Sequence, residues 1–131
     1  MAGVRRQLSE IGRRKRMTEP SDRKSAFIPG AEIAELFRRA LRGEAKIFTV
    51  GSSWTEIYAA NVEVRIDGYK LAIFNDCNQV DYVDSATALD GRIADFDDWW
   101  IGKDDPVDLL TDEEQDRLET LMEAAEVIAE D

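Results

Sequence analysis

The sequence contains no histidine, so the residues that could do chemistry are sought first among its many carboxylates. That absence removes the usual general base, the usual pH switch and the commonest metal ligand. Ser-His-Asp and Cys-His sites are excluded, and so is a His-containing zinc site. What remains is a dense set of acids, Asp76, Asp81, Asp84, Asp90, Asp95, Asp97 and Asp98. Loop carboxylates and carbonyls are the oxygen ligands that calcium or magnesium takes. The stretch Asp76-Cys77-Asn78 opens like an EF-hand loop, but Val80 stands at the third ligand position and Thr87 where the bidentate Glu belongs. Asp and Asn residues capping turns on a solvated acidic face are the simpler explanation. Paired carboxylates can also do acid–base work, but only from a cleft that gives the two different environments. A divalent-cation-binding or carboxylate-based enzyme using the cluster 76–98 is therefore the alternative reading. No catalytic residue, metal ligand or cofactor is assigned.

The one cysteine, Cys77, has no partner for an internal disulfide, which fits a reducing, cytoplasmic setting. Its neighbours Asp76 and Asp81 are acids, not the basic groups that activate a thiol. Cys77 is expected to be a small, partly buried residue at a strand end.

The sharpest interaction candidate is Trp99-Trp100 beside Asp97-Asp98, with Asp95 just before them. Tryptophan is enriched at the energetic centres of interfaces. These five residues, Asp95, Asp97, Asp98, Trp99 and Trp100, are selected as partner-binding. The competing expectation puts one indole in the core and leaves the other half-covered by the terminal helix.

Charge is unevenly placed along the 131 residues, whose net charge is −11. Residues 1–25 carry eight basic and three acidic groups, a net of +5; residues 26–75 are balanced; residues 76–131 reach −16. The first segment reads as a disordered basic tail, with Val4, Leu8 and Ile11 at the spacing of a short amphipathic helix. Translation from Met17 would omit the compact cluster Arg13, Arg14, Lys15 and Arg16. That cluster can contact phosphate weakly and without specificity, against the opposing field of the acidic body. The acidic half suits a basic protein surface, reached by charge steering. The leading expectation is thus a small non-enzymatic binding protein that engages or inhibits a basic partner, of the kind that restrains toxins or nucleic-acid-handling machinery. No apolar run approaches the ~18 residues of a membrane span.

The elements that must position these residues centre on a hairpin over 61–74. Asp67-Gly68 between two alternating runs has the form of a type I′ turn. Its register sets Ile66 opposite Tyr69, Val64 opposite Leu71 and Val62 opposite Ile73 on one face. A helix after Pro29 has Ile33, Leu36, Phe37, Ala40 and Leu41 on one stripe and ends at Gly43. A short strand spans 45–50, and Trp54 to Ala60 is expected to lead into the hairpin as one bent strand. Val80 to Ser85 reads as a third hairpin strand, and residues 95–100 as a short helix or an irregular loop. Thr111 with Glu114 is a capping box, opening a terminal helix whose stripe is Leu118, Leu121, Ala125 and Ile128. The expected fold is α+β: an antiparallel sheet of about four strands with the N-terminal and C-terminal helices packed on it, one domain over residues 26–131.

The runs Ile73-Phe-Asn-Asp-Cys77, Asp81-Tyr-Val-Asp-Ser85, Asp90-Gly-Arg92 and Asp95-Phe-Asp-Asp-Trp99 resemble a family of small acidic bacterial domains of unknown function. The resemblance covers about residues 30–125. It implies one compact domain and no catalytic residue.

Overall fold

A computed structural model describes residues 27–130. The expectation for residues 1–25 lies outside the described residues. The class is α+β. Helix α1 spans Gly30–Leu41, followed by strand β1, Ile47–Val50, and a single 3₁₀ turn, Trp54–Glu56. Strands β2 (Ala59–Ile66), β3 (Tyr69–Asp76), β4 (Gln79–Thr87) and β5 (Ile93–Asp95) come next. Helix α2 (Phe96–Gly102), helix α3 (Asp112–Ala124) and strand β6 (Glu126–Ile128) complete the order. The strands form one six-stranded sheet in the order β5-β4-β3-β2-β1-β6. All neighbours are antiparallel except β1 and β6, which pair in parallel. Among the described residues no helix is long and apolar enough to cross a membrane.

The central hairpin has the register its alternation requires, with Val62↔Ile73, Val64↔Leu71 and Ile66↔Tyr69 paired. Asp67 and Gly68 both take positive φ, 52° and 88°, as a type I′ turn demands. A second turn of this kind closes β3 onto β4 without any glycine: Cys77 and Asn78 stand at φ 54° and 73°. Such backbone is costly for a β-carbon-bearing residue, and the buried Asn75 holds it in place. Its amide donates to the carbonyls of Trp54 and Ile57, both at 2.8 Å, and its oxygen accepts the Asn78 N–H at 2.6 Å. The Trp54 indole N–H in turn donates to the Asn78 carbonyl at 3.0 Å. Cys77 itself is exposed, not partly buried as its strand-end position suggested, because this turn points its side chain outward.

Helix α1 buries Ile33, Ala34, Leu36, Phe37 and Ala40 against the sheet. It stops in a Schellman-type arrangement: Gly43 N–H donates to Ala40 O and Glu44 N–H to Arg39 O, with Gly43 at φ 80°. Helix α3 opens with the expected capping box between Thr111 and Glu114. The core joins Val62, Val64, Ile66, Leu71, Ile73 and Val83 of the sheet to α1 and to Leu118 and Met122 of α3.

Three local expectations are corrected. The terminal helix ends at Ala124, and Glu126–Ile128 turn into an edge strand on β1. Trp54 to Ala60 is a 3₁₀ turn followed by the start of β2, not one bent strand, because the buried Trp54 anchors the turn. The sheet has six strands instead of about four, since the three-residue edge pieces β5 and β6 are too short to show a period of two.

Candidate functional site

Asp95 is the N-cap of α2, accepting the Asp98 N–H at 3.1 Å, while the Asp98 carboxylate accepts the Asp95 N–H at 3.1 Å. This reciprocal capping box explains why a helix forms directly after β5. It also commits two of the five selected residues to local structure. Asp97 and Asp98 are buried, at 3% and 8% exposure. Trp99 is fully buried, with its indole N–H donating to the Ile28 carbonyl at 2.9 Å. Trp100 is the outward member of the pair, at 52% exposure.

Trp100 does not stand alone. Its ring stacks on Phe96 at 5.9 Å between centroids, Phe96 leans on Tyr82 at 4.7 Å, and Tyr82 stacks on Phe74 at 5.4 Å. The four rings form a continuous row from β3 through β4 to α2. Phe74 and Tyr82 are cross-strand partners, and they lie on the sheet face opposite to Ile73 and Val83. Phe96 and Trp100 are one helical turn apart and so extend the same line. Asp84 is on β4 two residues beyond Tyr82 and accepts the Asn61 amide at 3.3 Å. Half-exposed carboxylates therefore stand near the row at Asp84 on the sheet and at Asp95 at the start of the helix, while Asp97 and Asp98 are buried and serve the local structure of α2.

Beside the exposed end of α2, Trp99, Trp100, Ile101, Lys103, Asp105 and Asp108 line a shallow cavity of about 460 Å³. Ile101 and Leu109 are exposed apolar residues in the same region. Asp108 also borders a strongly acidic cleft of about 350 Å³ with Asp76, Asp81, Asp116 and Glu119. Desolvation raises the Asp81 carboxyl above its ordinary value, and the charge of Asp76 adds to this. Desolvation likewise raises Asp105, against the N–H that Val107 donates to it, and Glu119, against the N–H of Val80. Each of these acids thus holds its proton more tightly than a free carboxylate does.

The seven aspartates singled out as cation ligands do not converge. Asp90 accepts from Arg92, Asp95 and Asp98 cap α2, and Asp76 and Asp81 face the cleft. Among the described residues no group of three or more His, Cys, Asp or Glu side chains is arranged to hold a metal ion.

One polar cluster was not visible in the sequence. Arg92 clamps Glu32 through two N–H···O bonds of 2.8 and 2.6 Å and also holds Asp90 at 2.9 Å, and Tyr69 donates to Glu32. The Arg92 bonds lower the Glu32 carboxyl below its ordinary value. This network ties α1 to β3 and to the β4–β5 loop, with the single guanidinium of Arg92 shared between the carboxylates of Glu32 and Asp90.

The family model for a domain of unknown function matches residues 27–124. The chain belongs to that family, DUF7693. The DUF7693 match includes all four rings of the aromatic row and all the acids of the cleft; it stops at the last residue of α3, before β6. No curated protein and no solved structure matches the chain.

Proposed function

We propose that this protein is a non-enzymatic binding module that engages an arginine- or lysine-rich segment of a protein partner. The observation carrying this reading is the row Phe74–Tyr82–Phe96–Trp100 with carboxylates beside it. Ring faces attract cations, guanidinium above all, and are worth most when the contact is partly desolvated. The flanking acids supply charge-assisted hydrogen bonds and steer a basic chain toward the row. The acidic excess of residues 76–131 extends that field well beyond the contact itself. An anionic ligand such as nucleic acid would meet repulsion over the same surface.

The test is an NMR titration of the full chain with an arginine-rich peptide, following the three indole N–H resonances. Trp100→Phe assigns the resonance of interest. Saturable, salt-sensitive shifts at Trp100, with the buried Trp99 little affected, support the reading. Shifts spread evenly over every acidic surface, or none at Trp100, overturn it.

A further inference from the structure

We infer that the chain carries its own occupant for this surface: the basic segment 1–26 docks across the aromatic row and competes with the outside partner. The inference rests on the proposed reading of the row as a cation-binding surface. It replaces the solvated tail that composition alone favours.

Position is the first argument. Phe27, the first described residue, forms a parallel bridge to Ile93 of β5. Strand β5 runs directly into α2, which carries Phe96 and Trp100. The segment therefore joins the domain at the edge of the row. Reach is the second. From β5 across β4 to β3 is two strand spacings, roughly 10 Å. Twenty-six residues cover roughly 40 Å even when wholly helical. The cluster Arg13-Arg14-Lys15-Arg16 precedes Phe27 by few enough residues that an extended link holds it within roughly 40 Å.

Chemistry is the third. The segment supplies eight basic groups, six of them arginine, and these match the rings and the half-exposed acids Asp84 and Asp95 in kind. Val4, Leu8 and Ile11 add an apolar stripe suited to the hydrophobic surface of Phe74, Tyr82 and Trp100. Tethering converts the contact into an intramolecular one at an effective concentration in the millimolar range, so a weak contact suffices to hold it. The consequence is autoinhibition: an outside basic segment must displace the inside one, and its apparent affinity falls by the fraction of molecules left open.

The experiment uses the full-length chain with Cys77→Ser and Ser9→Cys, carrying a nitroxide on the new cysteine. The expected result is strong broadening of the Trp100 indole N–H at low salt, relieved by high salt. Reversing Arg13, Arg14, Lys15 and Arg16 to Glu should abolish the broadening. It should also tighten binding of an arginine-rich peptide by about tenfold, since the internal competitor is gone. Two outcomes overturn the inference. One is no broadening at Trp100; the other is broadening that appears equally when spin-labelled unenriched chain is mixed with unlabelled isotope-enriched chain, which assigns the contact to a second copy. If the peptide still shifts Trp100 in either case, the partner reading stands and only the autoinhibition falls. If the tail contact is present but the peptide binds neither form, the partner reading falls instead.

Discussion

Trp99 and Trp100 are adjacent in sequence and opposite in environment. The Trp99 indole is fully buried and donates to the Ile28 carbonyl at 2.9 Å, whereas Trp100 lies against Phe96 and is 52% exposed. On a helix consecutive side chains point about 100° apart, so one turn of α2 serves the core and the aromatic row together. Substituting each separately should therefore separate stability from binding. Trp99→Ala should cost about 3–5 kcal/mol, as truncating a buried aromatic does. Trp100→Ala should cost about 1 kcal/mol, the scale of one exposed ring contact. Urea denaturation of the two variants measures both, and equal losses would contradict the division of labour.

Gly30 offers a test of how α1 is seated. Its N–H donates to the Asp104 carboxylate at 2.6 Å, and a β-carbon here would sit 1.6 Å from the Asp104 carbonyl oxygen. That oxygen is backbone and cannot swing aside. Gly30→Ala should thus destabilise by about 1–3 kcal/mol or more, although alanine is the better helix former. A thermal melt matching the parent would show that the loop after α2 yields freely.

Asp105 should make stability depend on pH in the opposite sense to most carboxylates. Desolvation raises its carboxyl in the folded state, so the folded chain binds that proton more tightly than the unfolded chain. The contribution is unfavourable at neutral pH. It improves as pH falls through the raised folded value and is fully relieved below the ordinary value of the unfolded chain. Asp105→Asn keeps an oxygen for the Val107 N–H, an accepted bond of 2.9 Å, and removes the charge. The variant should be more stable than the parent at pH 7, and the gap should close as the solution is acidified. A gap that stays constant with pH would assign the gain to something other than ionisation.

The hairpin was readable because its period of two and its Asp67-Gly68 turn agree with each other, and the observed pairing follows residue by residue. The cap of α3 was readable for the same reason, since Thr111 and Glu114 are a local pair. The end of α3 was not. Leu118, Leu121, Ala125 and Ile128 keep helical spacing, and only the unpaired edge of β1 makes an extended 126–128 worthwhile. Of the candidate surface, the Trp100 end was legible as an isolated pair of tryptophans. The row was hidden because its rings come from three separate elements, and only Phe96 and Trp100 share a helical spacing. The bond between Arg92 and Glu32 spans 60 positions and has no local signature at all.

Binding kinetics should divide the surface into steering and anchoring parts. Asp97 and Asp98 are buried about the start of α2, so reversing them to lysine would disturb the fold before it altered any encounter. Asp84 is half-exposed on β4, and Asp76, Asp81 and Asp108 are exposed around the cleft. These four are the steering residues of choice. Charge reversal at Asp84 or Asp108 should lower the association rate constant for an arginine-rich peptide and leave dissociation nearly unchanged. Trp100→Ala should do the reverse, because a partly desolvated aromatic anchor sets residence time more than encounter. Screening confines these charges to about 8 Å at physiological ionic strength, so the steering difference should shrink with added salt while the Trp100 difference persists. Stopped-flow anisotropy of a dye-labelled arginine-rich peptide, with the parent or each variant protein in excess, resolves the two rate constants. If reversing Asp84 changed only dissociation, that carboxylate would be a contact residue on the row and not part of the steering field. If Trp100→Ala changed neither rate, the aromatic row would not be the binding surface, and the acidic cleft beside Asp108 would be the surface left to account for any binding.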